Sequence, residues 1–278
     1  MKKNTFIILL LLVSTLALAQ KKEKIKGSKT VMIEKKEIGD FEAIEVSDNL
    51  SIYLEKGEKN ELKIEADENL HDIIKIDLTD KTLRINTSKT ASNFKKLIVR
   101  ITYSNALKSI TSKNESVINA IAEIQLNDIA VKSFDDSKLF LNVNTKNFTL
   151  QSDHNSKVEL NVKSEKATIE LSKNANLKAL ITATDLKLDM YQKSTANLEG
   201  DATNANIRLD NNSKLIGNNF VITNAQLLAE SNSNSSLTAT ITINIDATGN
   251  ADIKLYGDPK IEIKRFAENA ILSKKQKQ

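Results

Sequence analysis

The second half of this chain repeats one short phrase at a fixed interval, and this interval constrains the fold more than any other feature. In each copy a small residue follows a polar pair, as in "HNSKVELNV" and "KNANLKALI". The small residues that lie 19 positions apart are Ser137, Ser156, Ala175, Ser194 and Ser213. Less regular intervals of 21, 22 and 16 residues extend the series to Ser116, Ser235 and Ala251. A recurring interval of this length indicates a repeat architecture.

Apolar residues keep the same register as the small residue. They recur two and four positions after it, and six and eight positions before it. Each unit therefore holds two short stretches with the period-2 alternation of half-buried strands, separated by polar turns. One unit cannot bury its apolar face alone, but stacked copies bury a continuous one. The sequence predicts an all-β chain whose repeats form a right-handed parallel β-helix, or β-solenoid, with coils stacked about 4.8 Å apart.

Other repetitive or all-β architectures explain the pattern less well. A β-sandwich or an up-and-down barrel also has short alternating strands, but neither requires a fixed 19-residue register. Leucine-rich repeats share the period, yet the Asn that follows Leu-x-x-Leu-x-Leu in those repeats is missing here. The β-solenoid is therefore the favoured interpretation.

Asparagine often precedes the small residue of the repeat. The positions that we predict to be structural repeat turns are Asn155, Asn174, Asn212, Asn234 and Asn250. Asparagine tolerates positive φ better than any residue except glycine, and its amide can bond to nearby backbone. These residues are predicted to turn the chain at a tight corner of each coil. The alternative is a row of amides that binds a ligand.

The N-terminal 19 residues have the features of a secretory signal peptide. Lys2 and Lys3 precede an apolar run, which ends at Ala17-Leu18-Ala19. The run is shorter than the roughly 20 residues that a membrane-spanning helix needs, so cleavage after Ala19 is predicted rather than anchoring. Cysteine is absent, which excludes a lipoprotein lipobox and disulfides. We expect an exported protein in the periplasm, on the outer surface or secreted, with no transmembrane segment.

The segment between the predicted signal peptide and the repeats has a different organisation. Residues 20–30 are basic and polar, which predicts a flexible arm. Residues 31–103 lack the 19-residue register and predict a less regular β-rich part with one short helix over residues 67–74, where Asp67 is the expected N-cap. The solenoid repeats are predicted over residues 104–264, and residues 265–278 are predicted to be a C-terminal tail.

The sequence offers little material for catalysis, metal binding or nucleic-acid binding. Loss of Lys2 and Lys3 would lower the formal charge from +4 to +2, and a nearly neutral chain gives no reason to expect nucleic acid. Two isolated histidines and no cysteine argue against a zinc site. Asp135-Asp136 and Asp67-Glu68 are paired acids of the kind that hydrolases use, but they fit a solvated turn and a helix start. We therefore predict no catalytic, cofactor-binding or metal-binding residues and no cofactor.

Two stretches of the chain resemble a known family. "GDFEAIEVSDNLSIYLEKGEKNELKIEADENLHDIIKIDLTDKTLRI" at residues 39–85 is similar to the opening of the exported bacterial family called putative auto-transporter adhesin, head GIN domain. "GNADIKLYGDPKIEIK" at residues 249–264 resembles its closing coil. The chain departs from the family in its turns, which use Asn, Ser and Lys where the family uses Ser-Gly-Ser-Gly-Asp. The resemblance implies a parallel β-helix outside the cytoplasm and carries over no catalytic residues.

The sequence thus predicts an exported, non-catalytic β-helix protein that provides a binding or structural surface at the cell envelope, with adhesion as one such role. Its expected partner is an envelope or surface ligand, either a polysaccharide or a protein. Exposed end coils could also pair two copies into a homo-oligomer. The alternative is a polysaccharide-active β-helix enzyme, a lyase or a hydrolase, which would need acids or Ca²⁺ ligands converging on one face.

Overall fold

The computed structural model describes residues 22–276, and the predicted signal peptide, residues 1–19, lies outside them. Nearly all of these residues are in strands, and one sheet of 18 strands runs through the molecule. Parallel coils of about 19 residues stack into a β-solenoid of about 9 turns, which confirms the predicted fold. Within the described residues, no helix has both the length and the apolar character required to cross a membrane.

The strands differ in length between the two halves of the chain. The N-terminal strands are short: β1 (Lys24–Lys26), β2 (Val31–Glu37), β3 (Ala43–Val46), β4 (Ser51–Lys56), β5 (Glu61–Asp67), β6 (Ile74–Thr79), β7 (Thr82–Thr87), β8 (Thr90–Ser92), β9 (Leu97–Tyr103) and β10 (Ser109–Ser112). Long strands that each cover most of a coil follow: β11 (Val117–Ser133), β12 (Lys138–Ser152), β13 (Lys157–Leu171), β14 (Asn176–Met190), β15 (Thr195–Leu209), β16 (Lys214–Ala229) and β17 (Asn234–Ala247). The last strands are β18 (Asp252–Tyr256), β19 (Lys260–Phe266) and β20 (Ile271–Lys274).

The coils stack in register because each unit repeats the same alternation. β13 pairs in parallel with β12 and β14, and Val158 lies between Leu139 and Leu177. All three side chains are at most 1% exposed. Inward side chains thus form apolar columns along the solenoid axis, and each buried side chain packs against its equivalent one coil away. The alternating polar residues form matching columns on the outer surface.

The coil lengths correct the predicted intervals near the C-terminus. A buried small residue closes each two-residue corner at Ser213, Ser233 and Ala251, so these coils are 20 and 18 residues long rather than 22 and 16. The differences in length are absorbed where the pairing of β16 shifts, with β15 between Asn197 and Glu199 and with β17 at two places between Gly217 and Asn224. A β-bulge adds residues to one strand without changing which side chains face inward further along. Ser235 is therefore not the corner residue.

The N-terminal part closes one end of the solenoid. β3 and β4 lie between two coils, one formed by β7 and β9 and the other by β10 and β11. Beyond β7 and β9, the antiparallel strands β5, β6 and β2 end the sheet. The predicted short helix is a 3-10 helix over Glu68–Ile73 that connects β5 to β6, and its Leu70 and Ile73 are buried in the core.

The sequence predicts Asp67 as the N-cap of this helix, but its side chain forms no capping hydrogen bond. Its fully buried carboxylate instead accepts hydrogen bonds from the backbone N–H groups of Lys29, Lys95 and Lys96, at 2.8 to 3.1 Å. Three backbone donors from two separate segments thus meet at one carboxylate. Asp67 therefore joins the chain before β2 to the loop before β9.

Two predicted boundaries differ from the structure. The expected flexible arm, residues 20–30, contains β1, which pairs in parallel with β8. The expected tail, residues 265–278, includes the end of β19, which pairs with β17, and all of β20, which pairs with β18. Both segments form strands because each pairs with the edge of a sheet whose residues are distant in sequence. The polar composition of a segment does not reveal such an edge.

Candidate functional site

Three of the predicted turn residues lie at equivalent corner positions. Asn155, Asn174 and Asn212 are each the second residue of a two-residue turn, with φ of 61°, 65° and 64°. The backbone N–H of Asn155 donates to the carbonyl of Lys173 at 3.1 Å, which lies one coil further along. Among the described residues, none of the three asparagine side chains forms a hydrogen bond, so their amides face solvent.

The two remaining predicted turn residues behave differently. Asn234 lies in β17, two residues beyond the corner that Ser231 and Asn232 form, because the coil before it is 20 residues long. Asn250 lies in a corner, but the positive φ there belongs to Gly249, at 71°. The Asn250 amide donates to Asn232 Oδ1 at 2.7 Å, and Asn269 donates to Asn250 Oδ1 at 3.1 Å. Sequence reasoning missed Asn232 and Asn269, whose 18- and 19-residue spacing from Asn250 was the available signal.

The two pairs of acids lie at a solenoid corner and at the start of the 3-10 helix. Asp135 and Asp136 occupy an exposed corner with positive φ, and His154 Nδ1 is 2.8 Å from Asp153 and 3.8 Å from Asp135. The Asp67 carboxylate already accepts hydrogen bonds from three backbone N–H groups. No group of three or more His, Cys, Asp or Glu side chains that could hold a metal ion occurs between residues 22 and 276.

A long groove lies on one outer face of the solenoid, and we call it the amide groove. It has a volume of about 530 Å³ and crosses five successive strands, β13 to β17. Inward-pointing residues form its floor, most of them alanine: Ala167, Leu186, Ala205 and Ala225. One wall consists of Lys166, Asp185, Asn204, Asn224 and Thr242, and the other of Thr168, Lys187, Asn206, Gln226 and Asn244.

The two walls of the amide groove differ in how their polar groups are used. In the first wall, Asn204 donates to Asp185 at 3.0 Å, Asn224 donates to Asn204 at 3.3 Å, and Thr242 donates to Asn224 at 2.9 Å. This ladder orders the wall along the axis. In the second wall, the Lys187 pKa is raised by a hydrogen bond with Asp189, 3.1 Å away.

The amides of the second wall remain available to a ligand. Asn206, Gln226 and Asn244 form no side-chain hydrogen bonds with the described residues. An amide offers both donors and an acceptor. The alternating pattern therefore arranges one ordered wall opposite one wall of free amides.

A second groove of about 460 Å³ lies elsewhere on the solenoid surface, and we call it the apolar groove. Phe140 and Leu180 line it and are 37% and 48% exposed, which is unusual for large apolar side chains in this chain. Charged residues, including Glu159, Lys178 and Glu199, lie beside them. No convergent set of acids lines either groove.

Comparisons with known proteins agree with the fold. A putative adhesin from Parabacteroides merdae superposes with a TM-score of 0.67 at 19% identity, over 91% of this chain and 99% of that one. A putative adhesin from Parabacteroides distasonis gives 0.67 at 18% identity, over 91% and 100%. A putative lipid binding protein from Parabacteroides distasonis gives 0.65 at 17% identity, over 91% and 99%. Among curated proteins, none matches this sequence significantly.

The sequence also matches a defined protein family. The match extends over residues 40–259, from just before β3 to just before β19. It therefore includes most of the irregular N-terminal part and the repeats. The chain belongs to the family described as "Putative auto-transporter adhesin, head GIN domain".

Proposed function

We propose that this protein is exported and acts without catalysis as a binding surface at the cell envelope, where it supports adhesion by holding a polysaccharide in the amide groove. The single observation that carries the proposal is this groove, in which free amides face an ordered polar ladder across five coils. The family description, which names adhesins, agrees with such a role.

The chemistry of the amide groove suits sugar hydroxyl groups. A hydroxyl both donates and accepts hydrogen bonds, and Asn206, Gln226 and Asn244 can do the same. The groove is open along the solenoid axis, so a linear polymer can lie across several coils and make the same contact repeatedly. Its charges are largely balanced, because Lys187 pairs with Asp189 and Lys166 lies near Asp185 in one wall. A neutral or weakly charged glycan fits this pattern better than a polyanion.

A binding experiment on immobilised polysaccharides tests the proposal. The probes are a panel of purified bacterial surface and plant polysaccharides, and the affected protein is the triple variant Asn206→Ala, Gln226→Ala and Asn244→Ala. These side chains are outward, so the fold should persist while affinity for the bound polysaccharide falls at least about tenfold, or about 1.4 kcal/mol.

The matched control is the double variant Phe140→Ala and Leu180→Ala in the apolar groove, which should bind like the unmodified protein. Loss of binding in this control alone would move the site to the apolar groove. Binding to no polysaccharide, or release of new reducing ends from a bound one, would contradict the proposal in its ligand or in its non-catalytic nature.

A further inference from the structure

The two ends of the solenoid are finished in different ways. At the C-terminal end, β19 pairs only with β17 and β20 only with β18 within residues 22–276. The inward side chains of this last coil continue the core columns but are covered on one side only. Their exposed fractions are 40% for Ile261, 50% for Ile263 and 40% for Phe266.

One coil earlier, the same columns are completely buried. Ile261 and Ile263 pair with Ile243 and Ile245, and both of these earlier side chains are 0% exposed. Contiguous exposed apolar surface on a folded protein usually marks an interaction site. Solenoids generally need a polar cap on each terminal repeat to remain soluble. The last coil therefore exposes side chains of the kind that are buried wherever another coil follows.

The N-terminal end cannot provide that neighbour. It is closed by the antiparallel strands β2, β5 and β6 and by the 3-10 helix, whose Leu70 and Ile73 are buried. The outermost strand β2 exposes Met32 and Ile33, but its second half is Glu34-Lys35-Lys36-Glu37, and charged residues along an edge strand oppose further pairing. Among residues 22–276, a matching open coil is thus offered only by the C-terminal end of a second copy.

Glu262 and Lys264 of β19 can form ion pairs between two copies of this strand. If β19 lies antiparallel to the same strand of a second copy with the two-fold axis at Ile263, Glu262 of one copy lies opposite Lys264 of the other, twice. Within the described residues neither Glu262 nor Lys264 forms an ion pair. Arg265, in contrast, is already engaged with Asp246 at 2.7 Å and Glu230 at 3.7 Å.

Lys264 is also free to reach across this junction. The pairing of β19 with β17 shifts between Ile245 and Asp246, so Lys264 has no partner residue in β17. Such a bulge leaves the extra residue outside the ladder. Its ammonium group is therefore not fixed by the coil beneath it.

We propose that the open C-terminal coil docks against the same coil of a second copy, so that two solenoids join tail to tail in a closed two-fold dimer. The contact uses the same patch on both copies, and a contact of this kind closes on itself rather than growing into a fibre. Docking covers the apolar side chains of the last coil and places Glu262 against Lys264 at two symmetric points. This interface is independent of the amide groove.

Sedimentation velocity over a range of protein concentrations gives the first test. The unmodified protein should sediment as a dimer that dissociates on dilution. Ile263→Lys should weaken the dimer at least about 100-fold, because it places two ammonium groups at the axis. The matched control is Ile33→Lys at the closed N-terminal end, where the native side chain is 59% exposed, and it should leave the dimer unchanged.

Charge reversal gives the second test, in which folding is not in question because both side chains are exposed. Glu262→Lys and Lys264→Glu should each weaken self-association, and an equimolar mixture of the two variants should form a heterodimer about tenfold more readily than either homodimer. The proposal fails if the unmodified protein is a monomer throughout, if it forms open-ended filaments, if Ile33→Lys dissociates it, or if the mixture shows no preference.

Discussion

At the residue scale, single side chains join segments that the repeat pattern does not connect. Asp67 joins the chain before β2 to the loop before β9 through three backbone donors. Glu65, two residues earlier, lies between Lys96 and Arg100, each 3.0 Å away. Hydrogen bonds from Lys96 and Arg100 lower the pKa of Glu65 to about 2. The irregular N-terminal part is thus stabilised by specific charged contacts as well as by its core.

Asp67→Asn should destabilise the protein by about 2–3 kcal/mol, because an amide cannot accept hydrogen bonds with both of its heavy atoms and a buried charged acceptor is lost. Urea unfolding followed by circular dichroism measures this change. Asp72→Asn is the control, since Asp72 is exposed and its side chain has no hydrogen-bond partner among the described residues; its effect should stay within about 0.5 kcal/mol. Equal stability of the two variants would contradict the role given to Asp67.

The same variant should change the response to acid. Burial opposes ionisation of Asp67, but the N–H groups of Lys96, Lys29 and Lys95 outweigh it and hold its pKa below the ordinary value of 3.8. A lowered pKa stabilises the fold above 3.8, and this stabilisation is lost as pH falls through the folded value. Stability of Asp67→Asn should therefore fall less steeply in acid than that of the unmodified protein.

At the element scale, the corners show how one buried column changes along the solenoid. In three successive coils two serine hydroxyls meet inside the corner, at 2.7 Å for Ser112 with Ser116, 2.9 Å for Ser133 with Ser137, and 2.6 Å for Ser152 with Ser156. In later coils the residue four positions before the small residue is apolar, for example Met190 before Ser194. The Ser194 hydroxyl is buried and has no hydrogen-bond partner among the described residues.

Two serine-to-alanine changes in this column should therefore have different effects. Ser137→Ala should destabilise the protein by about 1–2 kcal/mol, because it leaves the buried hydroxyl of Ser133 without its partner. Ser194→Ala should be neutral or stabilising by up to about 1 kcal/mol, because it removes an unpaired hydroxyl. Ala175 already occupies the equivalent corner one coil earlier. Thermal and urea unfolding compare the two, and an equal loss in both would refute this account of the column.

At the scale of the whole molecule, the solenoid is a stack in which each coil contacts mainly its two neighbours. Within residues 22–276, one continuous sheet connects the antiparallel strands of the N-terminal end to β19 and β20, which each pair on one side. In such quasi-one-dimensional proteins, stability is roughly the sum of repeats and of the interfaces between them. The number of coils is then less critical than their register.

Removal of one complete coil should leave a folded protein. Deletion of residues 160–178 joins Glu159 to Ala179, which occupies the same column as Leu160, so the register of every later coil is kept. Deletion of residues 160–168 joins positions of different columns and should prevent folding of the repeats. Circular dichroism and small-angle scattering should show a shorter folded rod for the first deletion only. Similar damage from both would contradict the 19-residue repeat as the folding unit.

Some features of this protein follow from the sequence alone. The 19-residue interval and its period-2 alternation predict parallel coils and identify which side chains face inward, as Val158 and Leu177 do. The short N-terminal helix and the family also follow from local residues, Leu70 and its neighbours above all. These features are local or strictly periodic, so no knowledge of distant contacts is needed.

Only the tertiary structure decided the remaining features, because each depends on which distant residues meet. Within "SNSNSS" both Ser233 and Ser235 fit the local pattern, and the bulged pairing of β16 with β17 selects Ser233, which moves the corner from Asn234 to Asn232. The position of Asp67 among backbone donors, the strands at both ends and the amide groove arise in the same way. The local alternation of the sequence determines which side chains face inward and outward. The positions of the corners, ends and grooves depend on how each coil stacks against its neighbours.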